Sequence, residues 1–155
     1  MKALKKWFPL ISLICGALAL VMIFLPMGSV DMPSLGLKKE YKGLKVCFGD
    51  DETLVFSIMN TLSFVIGAIG GVLAFLGAKS NNKVMKYVAL GCFVLGVILF
   101  ICSKNFVQFD SVVPKEVVKE IRKAMEAKIG AILAVIFNII GAAATACDIF
   151  VKEEK

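Results

Sequence analysis

The sequence predicts an all-α membrane protein: a four-transmembrane-helix bundle with both termini cytoplasmic and a small β-like first extracellular loop. Three observations lead there. The 155 residues are 59% hydrophobic, against roughly 45–50% in soluble domains. Mean hydropathy is +0.85. Four stretches, 7–30, 53–78, 87–103 and 129–147, hold no charged side chain, so the 18 basic and 12 acidic residues crowd into the rest. Such stretches are apolar all round, where a soluble helix keeps one polar face, and each approaches the roughly 20 residues that cross a bilayer core. A soluble globular domain, a disordered chain and a secreted disulfide scaffold are thereby excluded. The length allows one integral membrane domain, 1–155.

The first span is placed at 7–27. Lys2, Lys5 and Lys6 precede it. Its apolar region exceeds the roughly 7–15 residues of a cleaved leader, and no small-residue cleavage site follows, so it reads as a signal anchor. Pro9 falls in the first turn, where a missing N–H costs little, and Pro26 falls at the exit. The remaining spans are 54–78, 84–103 and 129–151, leaving outer loops 28–53 and 104–128. The N-terminal tail and the 79–86 connector are dense in lysine and free of acid, whereas the long loops mix both signs. That asymmetry puts the termini and the connector in the cytoplasm, with the chain in the plasma membrane.

In the first outer loop, Leu44, Val46 and Phe48 alternate with Lys45 and Cys47 between Gly43 and Gly49. This period of two predicts a short strand. The triplet Gly36-Leu37-Lys38 repeats Gly43-Leu44-Lys45 and offers a partner strand for a hairpin. Asp50, Asp51 and Glu52 then stand where acids cap a helix N-terminus, a use preferred over metal binding. In the second loop, Pro114 suits a first helical position, and Val117, Val118, Ile121 and Met125 share one face. The fourth helix is expected to begin there and project from the membrane, its stripe lying on the first loop or the lipid interface.

The chemistry of catalysis is missing. There is no histidine, no CxxC among five cysteines and no acid deep in a span, Asp148 coming nearest. No phosphate loop or nucleophile elbow is present. No catalytic residue, metal or cofactor is therefore expected, and the chain reads as no enzyme. Basic residues flank the apolar runs instead of interleaving with aromatics, which points to the lipid bilayer and not to nucleic acid. A disulfide, if one forms, should join Cys47 to Cys102.

Two sets of candidate residues remain. Gly43, Leu44, Lys45, Val46, Cys47, Phe48 and Gly49 form the candidate interaction loop. Asn60, Ser63, Gly67, Gly71, Asn138 and Gly141 are candidates for helix packing or a pore. Ser63, Gly67 and Gly71 recur every four residues, which lets a neighbouring backbone approach, within the chain or in a second copy. Asn60 and Asn138 are expected to hydrogen-bond across helices. Gly67→Leu should therefore damage packing, and Gly77→Leu should be mild. Spans one and two also overlay on spans three and four: Lys6, Cys15 and Leu18 on Lys83, Cys92 and Leu95, and Asn60 on Asn138. The functions in view are a non-catalytic interaction or scaffold protein displaying its outer loop to a membrane or extracellular partner, and an oligomeric channel or transport subunit. The channel would be lined by Ser57, Asn60, Thr61 and Asn138.

Four spans, a short inner connector and a β-like first outer loop resemble the claudin-like tetraspan architecture along the whole chain. Claudin first loops carry Gly-Leu-Trp followed by two cysteines. Here Lys45 follows Gly43-Leu44, and Cys47 is the single cysteine of its loop. The stretch Gly43-Leu44-Lys45-Val46-Cys47-Phe48-Gly49 is also similar to first loops of uncharacterised bacterial four-span proteins of low-GC Gram-positive species. That resemblance implies membrane location and no particular activity.

Overall fold

A computed structural model describes residues 6–33, 37–50 and 53–151. Helix α1 (Phe8–Val21) runs into a 3-10 turn, Met22–Phe24. Strands β1 (Pro26–Met32) and β2 (Leu37–Lys42), helix α2 (Gly43–Phe48) and strand β3 (Leu54–Val55) follow. Helices α3 (Ile58–Lys79) and α4 (Lys83–Ile101) form a hairpin. Helix α5 (Ser103–Phe106), strand β4 (Gln108–Phe109), helix α6 (Lys115–Ala124) and strand β5 (Met125–Ala127) lead to α7 (Ile129–Phe150).

Helices α3, α4 and α7 are long and apolar enough to cross a membrane; the apolar run Phe8–Phe24 is shorter. Helix α1 packs on α3 and α7, and α4 packs on the same two from the other side. Most of what α1, α3 and α7 bury is small or polar: Ser12, Gly16 and Ala19 on α1, Ser63, Gly67 and Gly71 on α3, Ala134, Asn138 and Gly141 on α7, while Phe64 of α3 and Phe93 and Phe100 of α4 put large rings inside. Many branched side chains turn outward instead, including Ile14 and Val21 on α1, Ile69 and Val72 on α3, and Ile132 and Ile136 on α7. That is the inverse of a soluble bundle, and it suits a solvent as apolar as leucine, where close backbone contact holds helices together.

At one end of the bundle both long loops join in a single cap. Strand β1 is central, with β2 on one side and β5 on the other, all antiparallel. Gly28 faces Ala127 and Val30 faces Met125. A second, two-stranded sheet pairs Leu54 with Phe109 and Val55 with Gln108.

Four expectations change here. The strand expected over 43–49 is a short helix, and the strand lies just before it, Leu37–Lys42 on Pro26–Met32. The turn into α2 is fixed by Gly43, whose N–H donates to the Leu25 carbonyl at 3.1 Å. A β-carbon at 43 would stand 2.6 Å from the Ile23 carbonyl oxygen, so the two backbones touch there. Second, α3 starts at Ile58, four residues later than expected, because Leu54 and Val55 are held by β4 and Ser57 caps the helix. Third, Asp50 caps no helix: its Oδ1 accepts from Thr53 N at 2.7 Å and Leu54 N at 2.9 Å, closing the turn into β3. Fourth, α6 does not continue into α7. Met125–Ala127 extends to pair with β1, and Lys128 N donates to the Met27 carbonyl at 2.9 Å. The stripe of α6 nonetheless packs on β1 through buried Ile121. Lys2, Lys5, Gly36, Asp51 and Glu52, used in the sequence argument, lie outside the described residues.

Candidate functional site

The packing candidates converge on the interior of the bundle. Asn138, fully buried in α7, donates from Nδ2 to the Ala134 carbonyl of its own helix at 2.8 Å. Its Oδ1 points into a notch between α3 and α4, where β-carbons on Gly67 and Gly96 would lie 2.6 and 2.7 Å from it. The oxygen fits only because both glycines lack a side chain. Gly71 meets α1, with a β-carbon there 2.9 Å from the Ser12 carbonyl oxygen. Gly16 completes that crossing from the other side, against the Gly67 carbonyl. Gly141 admits the ring of Phe93, whose Cε1 would stand 2.5 Å from an added β-carbon. The small residues of α3 and α7 thus serve contacts within one chain, mainly with α1 and α4.

The cross-helix hydrogen bonds expected of Asn60 and Asn138 are not formed, either to each other or to another helix. Asn60 is the third residue of α3 and Asn138 the tenth of α7, so they sit at depths about 10 Å apart at 1.5 Å per residue. The overlay that aligned them in sequence therefore does not align them in the bundle. The Asn60 carboxamide is buried without a protein hydrogen-bond partner. Ser63 Oγ donates to the Asn60 carbonyl at 2.6 Å, and Ser57 Oγ donates to the Phe106 carbonyl at 2.6 Å, tying α3 to α5. Gly77 is not in open space either: a β-carbon there would lie 3.0 Å from Met85 Cβ and 3.1 Å from Lys86 Cγ.

Two polar contacts escaped the sequence reading. Ser12 Oγ of α1 lies 3.0 Å from Thr145 Oγ1 of α7, and Thr145 donates back to the Gly141 carbonyl at 2.8 Å. At the end of the bundle away from the cap, Lys86 Nζ of α4 is 2.6 Å from Asp148 Oδ2 of α7. Their side chains are 11% and 6% exposed, so this is a buried ion pair. The sequence signal was Asp148 itself, an acid one residue beyond a charge-free stretch; Lys86 read only as a flanking charge.

The candidate interaction loop presents little of itself. In α2, Gly43, Val46 and Cys47 are buried and Leu44 is half-buried. Lys45 and Phe48 face outward, and Gly49 turns the chain with φ 92°, a conformation that glycine alone adopts cheaply. The Phe48 ring packs on Phe56 at 6.2 Å between centroids. Burial pushes the Cys47 thiol up to about 11, opposed in part by a hydrogen bond with Thr61. It is bonded to no other cysteine: Cys47 and Cys102 are both free, as are Cys15, Cys92 and Cys147.

Among the described residues no cluster of three His, Cys, Asp or Glu side chains could hold a metal ion. Of the channel-lining candidates, Ser57, Asn60 and Asn138 are each no more than 1% exposed and Thr61 is half-buried, its hydroxyl donating to the Ser57 carbonyl at 3.0 Å; the rings of Phe64 and Phe93 are fully buried as well. No protein family, curated protein or solved structure matches the chain.

Proposed function

We infer that the chain is a non-catalytic interaction or scaffold protein of the plasma membrane, crossing it four times with both termini cytoplasmic and carrying the two-sheet cap outside. The observation that carries the four-span reading is the inverted pattern on α1. Its buried face is Ser12, Cys15, Gly16 and Ala19, while Ile11, Ile14, Leu20 and Val21 face outward. That is the distribution of α7 and, Phe64 aside, of α3, and a soluble fourth helix would not share it. With its 3-10 extension the run Phe8–Phe24 has 17 residues, at the lower end of the roughly 17–25 that span a bilayer.

The cap is what such a protein offers a partner. It draws strands from both outer loops, and β1 and β5 pack on α7. The likeness to claudin-like tetraspan proteins rests on this order of elements, and the unpaired Cys47 separates the chain from them. The burial of Ser57, Asn60 and Asn138 inside one chain speaks against the channel reading, because those groups reach neither a central passage nor a seam between copies. Reconstitution into liposomes tests the choice. Vesicles holding the pure chain should release neither potassium nor a small anionic dye above the protein-free rate. Flux that rises with protein density and falls with Asn138→Leu would overturn the scaffold reading in favour of the channel.

A further inference from the structure

We propose that the cleft between the cap and the bundle holds one acyl chain of a bilayer phospholipid whose headgroup carries both a phosphate and an amine. The cleft has a volume of about 360 Å³ and enters between the end of α4 and the start of α7. Its inner wall is apolar, with Met27 of β1, Val46 of α2, Phe100 of α4 and Met125 of β5. No water is favoured against such a wall, whereas an alkyl chain is. The mouth is formed by Ile101, Ile132 and Ile136. All three are exposed on the outward faces of α4 and α7, continuous with the surface that meets lipid tails when those helices cross a membrane. A chain can therefore enter sideways from the bilayer without passing through water.

The rim selects the headgroup. Lys104 and Glu126 both line the cleft at its cap side, both exposed, and among the described residues neither is in an ion pair. A cation and an anion left apart at one mouth complement a phosphate and an ammonium on the same ligand. A purely anionic headgroup would satisfy Lys104 and leave Glu126 facing negative charge.

This inference rests on the membrane-spanning reading, and the experiment separates the two. Alkaline carbonate extraction is done first; release of the chain from membranes would overturn the spanning reading itself. The membrane-retained full chain is then taken into mild detergent with phosphatidylethanolamine or phosphatidylglycerol, and bound lipid is counted by native mass spectrometry. The expected result is one phosphatidylethanolamine per chain, surviving collision energies that strip other lipids, with at least fivefold preference over phosphatidylglycerol. Ala131→Phe, which fills the cleft, should lower occupancy at least tenfold; Ile136→Trp at the mouth does the same should the first variant fail to fold. Ile140→Phe, on the outward face of α7 away from the cleft, should leave it unchanged. Lys104→Glu should abolish the headgroup preference without altering the melting temperature. Equal occupancy in the filled and unfilled variants, or lipids that all strip together, would overturn the proposal.

Discussion

The carboxamide oxygen of Asn138 stands 2.6 Å from the point where a β-carbon on Gly67 would be. Helices α3 and α7 lie across the bundle diagonal from each other with little contact, and this polar atom fills the notch on α3. Gly67→Leu must displace it, and the oxygen has nowhere to move, since Gly96 of α4 bounds the other side of the notch. Overpacking of this kind costs about 1–3 kcal/mol. A lower melting temperature in detergent is expected for Gly67→Leu. Gly91→Leu is the control, because nothing lies within 4 Å of a β-carbon there. Equal melting of the two variants would show the notch to be loose.

Gly77→Leu, mild on the sequence alone, belongs with the damaging substitutions. A β-carbon there would stand 3.0 Å from Met85 Cβ and 3.1 Å from Lys86 Cγ, and pushing Lys86 aside strains the ion pair with Asp148. A melting temperature at the Gly91→Leu level would contradict this.

Breaking that pair should be costly in one direction only. Asp148→Asn leaves the Lys86 ammonium buried without its counter-charge, at about 3–5 kcal/mol. Replacing both, Lys86→Met with Asp148→Leu, should recover most of the loss, because a buried pair gains little over apolar residues of similar size. Denaturant midpoints of Asp148→Asn and the double variant make the comparison. A double variant no better than Asp148→Asn would mean that the pair holds something more than itself.

Cys47 imposes an alkaline limit. Its thiol is held near 11 against an ordinary 9.0, so between those values the unfolded chain has lost a proton that the folded chain retains. Stability is full below pH 9 and falls as pH rises, by up to about 1.4 kcal/mol per pH unit in that window. Burial raises Tyr41 in the same cap, which adds a loss of the same sign above its ordinary 10.0. Melting temperatures from pH 8 to 11 should fall less steeply for Cys47→Ala than for the natural chain. Parallel curves would exclude the thiol as their cause.

Orientation is read by an impermeant maleimide on intact cells. Lys45→Cys, exposed on α2, should be labelled, and Ser80→Cys, exposed in the α3–α4 turn, should be protected. The neighbouring Asn81 has φ 51°, which would strain a cysteine there. Cys47 itself should stay unlabelled in either orientation, being buried and protonated. Labelling at 80 with protection at 45 would invert the topology.

Much of the bundle was legible in the sequence because charge-free runs have one physical meaning, and α3, α4 and α7 begin or end within a few residues of the expected limits. The cap was not, because its elements are decided by distant partners. Leu44, Val46 and Phe48 alternate as a strand would, yet five residues of alternation cannot outweigh the hydrogen bond from Gly43 to Leu25 that starts a helical turn. Met125–Ala127 continues the apolar stripe of α6 and reads as helix, until Gly28–Val30 supplies its backbone partners. Within the site, the glycines of α3 announced close packing by their spacing. Which helix they meet is a tertiary fact, and so is the encounter of Lys86 with Asp148 across 62 positions of sequence.

Strand β5 completes a sheet whose central strand is made far earlier. During synthesis β1 emerges soon after α1, and its second edge waits until Met125 has left the ribosome, on the order of ten seconds at about 5–20 residues per second. Over that interval the nascent chain has an open strand edge on β1. Insertion of α7 and closure of that edge are one event, since Ile129 begins two residues after Ala127. A delay in translating or inserting the last helix would therefore prolong the time in which another chain can add itself to β1.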